Sequence, residues 1–297
     1  MSPDGMHSDG MHGDSAAAGA PAGDGIMRND CMGPVSPEEA GRVTAGTMIW
    51  RAFNMFQLAI GLVWTAAWIT LALLLRPLSG PQARLPLRMA ARCWAPGLLR
   101  GAGARLEVEG AARVDWSRPC LLVANHASVI DVCALFRAVP VPLRFLLKDE
   151  MKRVPFVGWY ARATGMLFIV RDSARAGALM RREAAAMLAR GQVLCLFPEG
   201  TRSRDGTVAP FKGGSLQAAI DAGVPVVPVA VQGAGRVLPV QGFFRVRPGR
   251  IRVGFGEPLA VREDGAAVPR QVLADRARTR IVGMLEAWER KDATCGS

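Results

Sequence analysis

The sequence predicts an α/β domain: a mixed, largely parallel sheet flanked by helices, preceded by a membrane-associated helical element. Two observations predict it. From Arg105 onward, short apolar runs alternate with longer mixed stretches, the pattern of strands buried on both faces by helical crossovers. Ahead of them, Ala52 to Leu75 is a stretch of 24 residues without a charge. The length of 297 residues and the 50% hydrophobic content support a substantial core.

Residues 1–46 are rich in Gly, Ala, Asp, Ser and Met, with seven acidic and two basic side chains. They read as a disordered acidic tail. No charged segment followed by an apolar core marks them as a signal peptide. With that tail at −5, the rest of the chain carries +17 of the net +12. A body this basic suits anionic partners. Low aromatic content (6%) and the absence of a nucleic-acid-binding motif count against nucleic acid, leaving an anionic membrane surface or phosphorylated substrates.

Ala52–Leu75 is long enough, at ~1.5 Å per residue, to cross a hydrocarbon core of ~30 Å. Arg76, Arg84, Arg88, Arg92 and Arg100 succeed it, so the positive-inside rule puts the chain beyond Leu75 on the cytoplasmic side of the inner membrane. The alternative is a buried core helix. Over residues 84–100, Arg84, Arg88 and Arg92 recur on one face and apolar residues fill much of the rest. This predicts an interfacial helix bounded by Pro86 and Pro96. A single transmembrane span and a hairpin dipped into one leaflet both fit. The predicted divisions are a tail over 1–46, membrane-associated helices over 47–104 and a catalytic domain over 105–297.

In that domain the predicted strands are Leu106–Val108, Leu121–Ala124, Arg144–Leu147, Met166–Val170, Val193–Phe197, Val226–Val231 and Ile251–Phe255. The predicted helices are Val129–Arg137, Phe156–Ala163, Ala174–Arg190, Gly214–Ala222 and Arg270–Lys291. The six cysteines show no C-x-x-C spacing, and Cys120 and Cys195 fall at buried strands, so a reducing compartment is expected. No His, Cys and carboxylate cluster has ligand spacing, so no metal is expected.

Chemistry concentrates in Pro119–Asp131, where an apolar strand ends in Asn125-His126 and Asp131 comes five residues after the histidine. His126 is the single histidine outside the tail, and imidazole exchanges protons near neutral pH. One reading is a helix-capping loop with an incidental histidine. The other puts His126 on the turn and Asp131 in the first helical turn, where the carboxylate holds one ring nitrogen and leaves the other as a base. With no serine partner, the substrate's own hydroxyl would be the nucleophile.

Three further motifs suit anions. Arg171 ends a predicted strand, where ligands of such sheets sit. In Phe197-Pro198-Glu199-Gly200-Thr201-Arg202-Ser203, Gly200 permits close backbone approach and Thr201, Arg202 and Ser203 offer donors for a phosphate. Lys212 precedes a helix start, another place an anion is favoured. For Arg171 and Lys212 an ordinary surface role remains equally open.

Taken in order, Asn125-His126 with Asp131, Gly165 to Arg171, Phe197 to Ser203 and Val224-Pro225 to Pro228 resemble the four blocks of the glycerolipid acyltransferases, specifically the 1-acylglycerol-3-phosphate O-acyltransferase family. The resemblance covers roughly 105–260 and the apolar N-terminal element. It implies a membrane-bound enzyme of phospholipid biosynthesis. His126 would deprotonate the sn-2 hydroxyl, supported by Asp131, and the donor would be acyl-CoA or acyl-acyl-carrier protein, with no other cofactor. Arg171, Glu199, Gly200, Thr201 and Arg202 would hold the acceptor phosphate, with Lys148 assisting. Alternatives are the same chemistry on another lysolipid, such as lyso-ornithine lipid, a membrane thioesterase or hydrolase, and a non-enzymatic membrane-binding protein.

Overall fold

The computed structural model describes the backbone of residues 37–295, except 81, 170–173 and 242–243, and side chains from Met48 to Thr294 apart from the same positions and Ala174. The chain divides into two units, Met1–Thr47 and Met48–Ser297. Residues 1–36 of the predicted disordered tail lie outside the described residues. Helix α1 (Pro37–Leu74) begins at Pro37, within the last ten residues of that predicted tail. Proline at a first helical position followed by Glu38 and Glu39 is a helix-starting pattern, hidden in sequence by the Gly- and Ala-rich residues before it.

Within the second unit, α1 turns back through a 3-10 turn (Arg76–Ser79) into a second helix. That helix comprises α2 (Arg84–Met89), a π turn (Ala90–Trp94) and α3 (Ala95–Gly101). The two run antiparallel as a hairpin. Trp64 lies where Gly97 has no side chain; a Cβ there would stand 2.3 Å from the indole. Trp64 Nε1 donates to Trp94 O at 3.1 Å, and Trp94 Nε1 donates to Thr65 Oγ1 at 3.1 Å. Pro86 and Pro96 do not bound the second helix as expected. Pro86 sits in its first turn, where an N–H would lack an intrahelical partner anyway. Pro96 comes just after the π turn, whose wider ring accommodates the missing donor.

Leu87, Ala90, Ala95 and Leu99 are buried in the same core as the sheet residues Leu122 and Ala124, while Arg84, Arg88 and Arg92 are exposed. The expected interfacial helix therefore buries one face on the domain. By length and composition, Met48–Leu74 is the one described helix apolar enough to cross a membrane. It exposes Trp50, Phe53, Phe56, Ile60, Leu62 and Val63. Both ends of this stretch are nevertheless tied to the rest of the unit. Asn54 Oδ1 accepts a hydrogen bond from Val246 N at 3.1 Å, and Arg76 Nε donates to Ala163 O at 2.7 Å.

The seven-stranded sheet consists of β1 (Ala104–Glu109), β2 (Leu121–Ala124), β3 (Leu143–Lys148), β4 (Leu167–Ile169), β5 (Val193–Leu196), β6 (Val226–Gln232) and β7 (Gly249–Phe255). Their order is β1-β7-β6-β2-β5-β3-β4, and only the β6–β7 pairing is antiparallel. The predicted strands fall on these; the central β2, β5 and β6 are covered on both faces, whereas the edge strand β1 is largely exposed. One core packs Leu122, Cys195 and Val229 against the hairpin, α4 (Ile130–Ala138) and α5 (Val157–Ala163). The other packs Leu121, Leu194 and Val226 against α6 (Ala174–Ala189), α7 (Gln217–Ala222) and α9 (Arg270–Cys295). Sequence does not anticipate α8 (Ala234–Val237) or a hairpin of two-residue strands, β8 (Arg262–Glu263) and β9 (Ala266–Ala267). Elements this short carry no readable period.

On β3, buried Arg144 donates from Nε to Thr164 O at 2.9 Å and from Nη2 to Gln82 O. The guanidinium thereby fastens the hairpin's turn to the sheet. At the centre of the sheet the C-terminal ends of β6, β2, β5 and β3 lie side by side, the edge where such folds bind ligands.

Candidate active site

At the end of β2 the buried Asn125 extends the ladder with its side chain. Its Nδ2 donates to Val231 O at 2.9 Å, and Val231 N donates to its Oδ1 at 2.8 Å. His126 leaves the sheet from this fixed point. Asp131 lies in the first turn of α4, fully buried, and its Oδ2 stands 2.8 Å from His126 Nδ1. The same oxygen accepts from Ala127 N and Ser128 N, each at 2.8 Å. The helix N-terminus favours the carboxylate's charge. Because an ionised carboxylate can only accept, Nδ1 carries the proton and Nε2 presents a lone pair. The turn-plus-first-turn arrangement is the one the spacing allows.

The imidazole is held flat as well as in register. His126 stacks on Phe197 with ring centroids 3.9 Å apart and planes at 17°. Phe145 stacks behind Phe197 at 6.2 Å. The parallel register pairs Leu122 with Cys195; extended, it sets Phe197 opposite Ala124, one pleat before His126. Sequence reasoning misses Phe197 as a site residue. Its signal is this shared parity, visible only once β2 and β5 are known to be neighbours.

The resemblance implied that Glu199 would help hold the acceptor phosphate; its side chain turns inward. Gly200 N donates to Phe197 O at 3.1 Å, closing a turn with Pro198 at its second position, and Gly200 takes φ +75°. The turn carries Glu199 inward, to 6% exposure. There Oε1 accepts from His126 N at 2.8 Å and Oε2 from Ala209 N at 3.0 Å. Burial pushes its carboxyl up, and the bonds from Ala209 and His126 oppose that. With both oxygens taken by backbone amides, the carboxyl bolts the His126 backbone to the neighbouring loop. Glu199→Ala leaves two amides without partners, at roughly 1–3 kcal/mol each. We expect a lower melting temperature and a fall in turnover of about ten- to a hundredfold, read by thermal unfolding and initial rates.

Ser203 N donates to His126 O at 2.7 Å, so the loop carrying Thr201 and Arg202 is fastened beside the imidazole. Both side chains are exposed. Lys148 is exposed at the end of β3, and exposed Lys212 donates its backbone N–H to Pro198 O at 3.3 Å. The charged groups of Lys148, Arg202 and Lys212 have no ion-pair partner among the described residues. The structure thus gathers these three cations along one sheet edge with His126. Arg171 lies outside the described residues.

Among the described residues no hydroxyl or thiol hydrogen-bonds the imidazole's Nε2. Ser128 Oγ donates to Leu238 O at 2.6 Å and is fully buried. Burial pushes the thiols of Cys120 and Cys133 up to about 12 and raises that of Cys195 as well. Among the described residues no group of three or more His, Cys, Asp or Glu could hold a metal ion.

Residues 105–232 match the family model described as Acyltransferase. The lyso-ornithine lipid O-acyltransferase of Pseudomonas aeruginosa is 36% identical over 61% of this chain and 66% of its own length. The 1-acyl-sn-glycerol-3-phosphate acyltransferase of the same organism is 31% identical, over 63% of this chain and 68% of its own length. The crystal structure of the 1-acyl-sn-glycerophosphate acyltransferase PlsC from Thermotoga maritima superposes with a TM-score of 0.67. It is 25% identical, covering 80% of this chain and 97% of that one. The chain spans about half the length, 45–49%, of the algal and plant relatives it matches. On these matches, and with a histidine and carboxylate set at the sheet's ligand edge, the chain belongs to the glycerolipid acyltransferase family, which includes the 1-acyl-sn-glycerol-3-phosphate acyltransferases.

Proposed function

We propose that this protein moves an acyl chain from an acyl thioester, acyl-CoA or acyl-acyl-carrier protein, to the sn-2 hydroxyl of 1-acylglycerol-3-phosphate, forming phosphatidate. One observation carries the reading: a carboxylate-oriented imidazole whose Nε2 is bonded to no described hydroxyl or thiol. Nε2 takes the proton as the acceptor oxygen attacks the thioester carbonyl. The buried Asp131 carboxylate stabilises the imidazolium. As the C–S bond breaks, that proton passes to the departing thiolate. The base, the hydroxyl and the thioester suffice, with no resident metal or redox cofactor. Lys148, Thr201, Arg202 and Lys212 lie on the edge where the acceptor phosphate would be received.

The apolar outer face of α1 attaches the protein to the membrane. We infer that it lies in one leaflet, because Asn54 and Arg76, 22 residues or ~33 Å of helix apart, are bonded to the same unit. The exposed arginines suit an anionic surface, and the catalytic unit faces the cytoplasm on the inner membrane.

A second reading, the same transfer to a lyso-ornithine lipid, is favoured by the 36% identity to an enzyme of that name. Initial rates on the two acceptors decide, with Arg202→Ala alongside. If lysophosphatidate is the acceptor, the wild type prefers it and Arg202→Ala lowers its kcat/KM by about ten- to a hundredfold, the size of a charge-assisted bond. Preference for lyso-ornithine lipid with indifference to Arg202 would move the substrate.

A further inference from the structure

The family's chemistry brings together two substrates that each carry an anionic handle. The cations beside β5 and β3 account for one. A second basic cluster lies on the other side of His126. Between the C-terminal end of β6 and the start of β7 is a cleft of about 430 Å³, within the usual size of ligand sites. Arg236, Arg247, Arg250 and Arg252 line it, with Asp292 the one acidic side chain in its wall.

The cations are not equivalent. Arg252 is 6% exposed and bonds Glu107 Oε2 at 3.1 Å and Asp292 Oδ1 at 2.7 Å. Arg250 shares Asp292 Oδ1 at 2.8 Å and approaches Glu107 at 3.8 Å. Two guanidinium groups are thus offset by two carboxylates. The Arg236 and Arg247 side chains have no hydrogen-bond or ion-pair partner among the described residues. The cleft therefore keeps two unbalanced positive charges above a rigid, paired floor.

Its wall is also mechanically continuous with the catalytic turn. Arg247 N donates to Val237 O at 2.8 Å, and Ser128 Oγ donates to Leu238 O directly after α8. Gly235 packs on Ala127, with a Cβ there 3.4 Å from the Ala127 Cβ. Neighbouring strands are ~4.8 Å apart, so the cleft begins about one strand away from the strand that ends in His126. The acceptor-side cations and this cleft stand on opposite sides of the base.

We propose that this cleft binds the phosphate at the end of the acyl donor's pantetheine arm, the group common to coenzyme A and carrier protein, with Arg236 and Arg247 as its ligands. The proposal rests on the acyl-thioester reading above. Its test is donor-dependent kinetics in detergent for wild type, Arg236→Ala/Arg247→Ala and a control, Arg280→Ala, which removes an exposed arginine of α9. The double variant should raise the donor KM about tenfold or more with both acyl-CoA and acyl-acyl-carrier protein. Acceptor KM and kcat should stay within about twofold, and the control should match wild type. In wild type, 4′-phosphopantetheine should inhibit competitively against donor, and pantetheine should not.

An unchanged donor KM overturns the proposal. So does a change confined to acyl-CoA, which would point to the nucleotide, or to the acceptor KM, which would make this a lysolipid site. A defect seen only in binding to anionic vesicles would make it a headgroup site. If wild type transfers acyl chains from neither donor, the acyl-transfer reading itself fails, and that result differs from all of these.

Discussion

Replacing His126 with alanine is expected to lower turnover by about 10²–10⁴-fold, the range for removing a positioned general base. The imidazole is held by Asp131 on one edge and Phe197 on one face, and its side chain is 18% exposed. What remains open is Nε2, so the group's contribution is made to the reacting hydroxyl. KM for acceptor and donor should move little if, as proposed, the cations and not the imidazole hold the substrates' charges. The fold should survive, since the Asn125–Val231 and Glu199–His126 bonds either side use the backbone or other side chains. Initial rates and thermal unfolding of the same preparation check both parts. A loss of less than tenfold would remove His126 from the chemistry.

Asp131→Asn should cost turnover on the order of 10³–10⁴-fold, the scale seen when a carboxylate behind a catalytic imidazole becomes an amide. The change is almost isosteric, and the geometry explains why that does not save it. Three N–H groups converge on Oδ2, while Oδ1 is buried without a partner. If the amide oxygen takes the Oδ2 place, its NH2 is buried with nothing to donate to. If it flips, the NH2 faces two backbone donors and turns His126 to the other tautomer, closing Nε2 to the substrate. In either pose the imidazolium loses its counter-charge. Stability should fall by about 1–3 kcal/mol. A loss of turnover smaller than about tenfold would contradict this account and leave Asp131 only a packing role.

The central sheet is legible in the sequence because strands buried on both faces are continuous apolar runs, ended by polar Asn125 after β2 and by Pro198 after β5. The His126–Asp131 pair is legible because a spacing of five is useless within a helix and workable across a strand-to-helix junction. Glu199 is not. A polar residue in a polar loop gives no sign of which way it points, and the turn at Phe197–Gly200 sends it inward. Phe197 reads as core, since its neighbours Cys195 and Leu196 are core. The prolines of the second helix mislead for a local reason: a proline rule assumes an α-helical ladder, and the π turn at Ala90–Trp94 changes the ladder. Arg236 and Arg247 belong to an arginine-rich stretch with no pattern of its own. Only the pairing of β6 with β7 brings them to one cleft beside the catalytic turn.

In the transfer proposed above, the acceptor's hydroxyl attacks the thioester directly, with no acyl group passing through the protein or to water. The measurement is the fate of a labelled acyl thioester mixed with wild-type protein in detergent, with and without lysophosphatidate, quenched in acid within a single turnover. The account predicts label in phosphatidate alone when acceptor is present, and intact thioester when it is absent. Label on the protein, or free fatty acid released without acceptor, would contradict it.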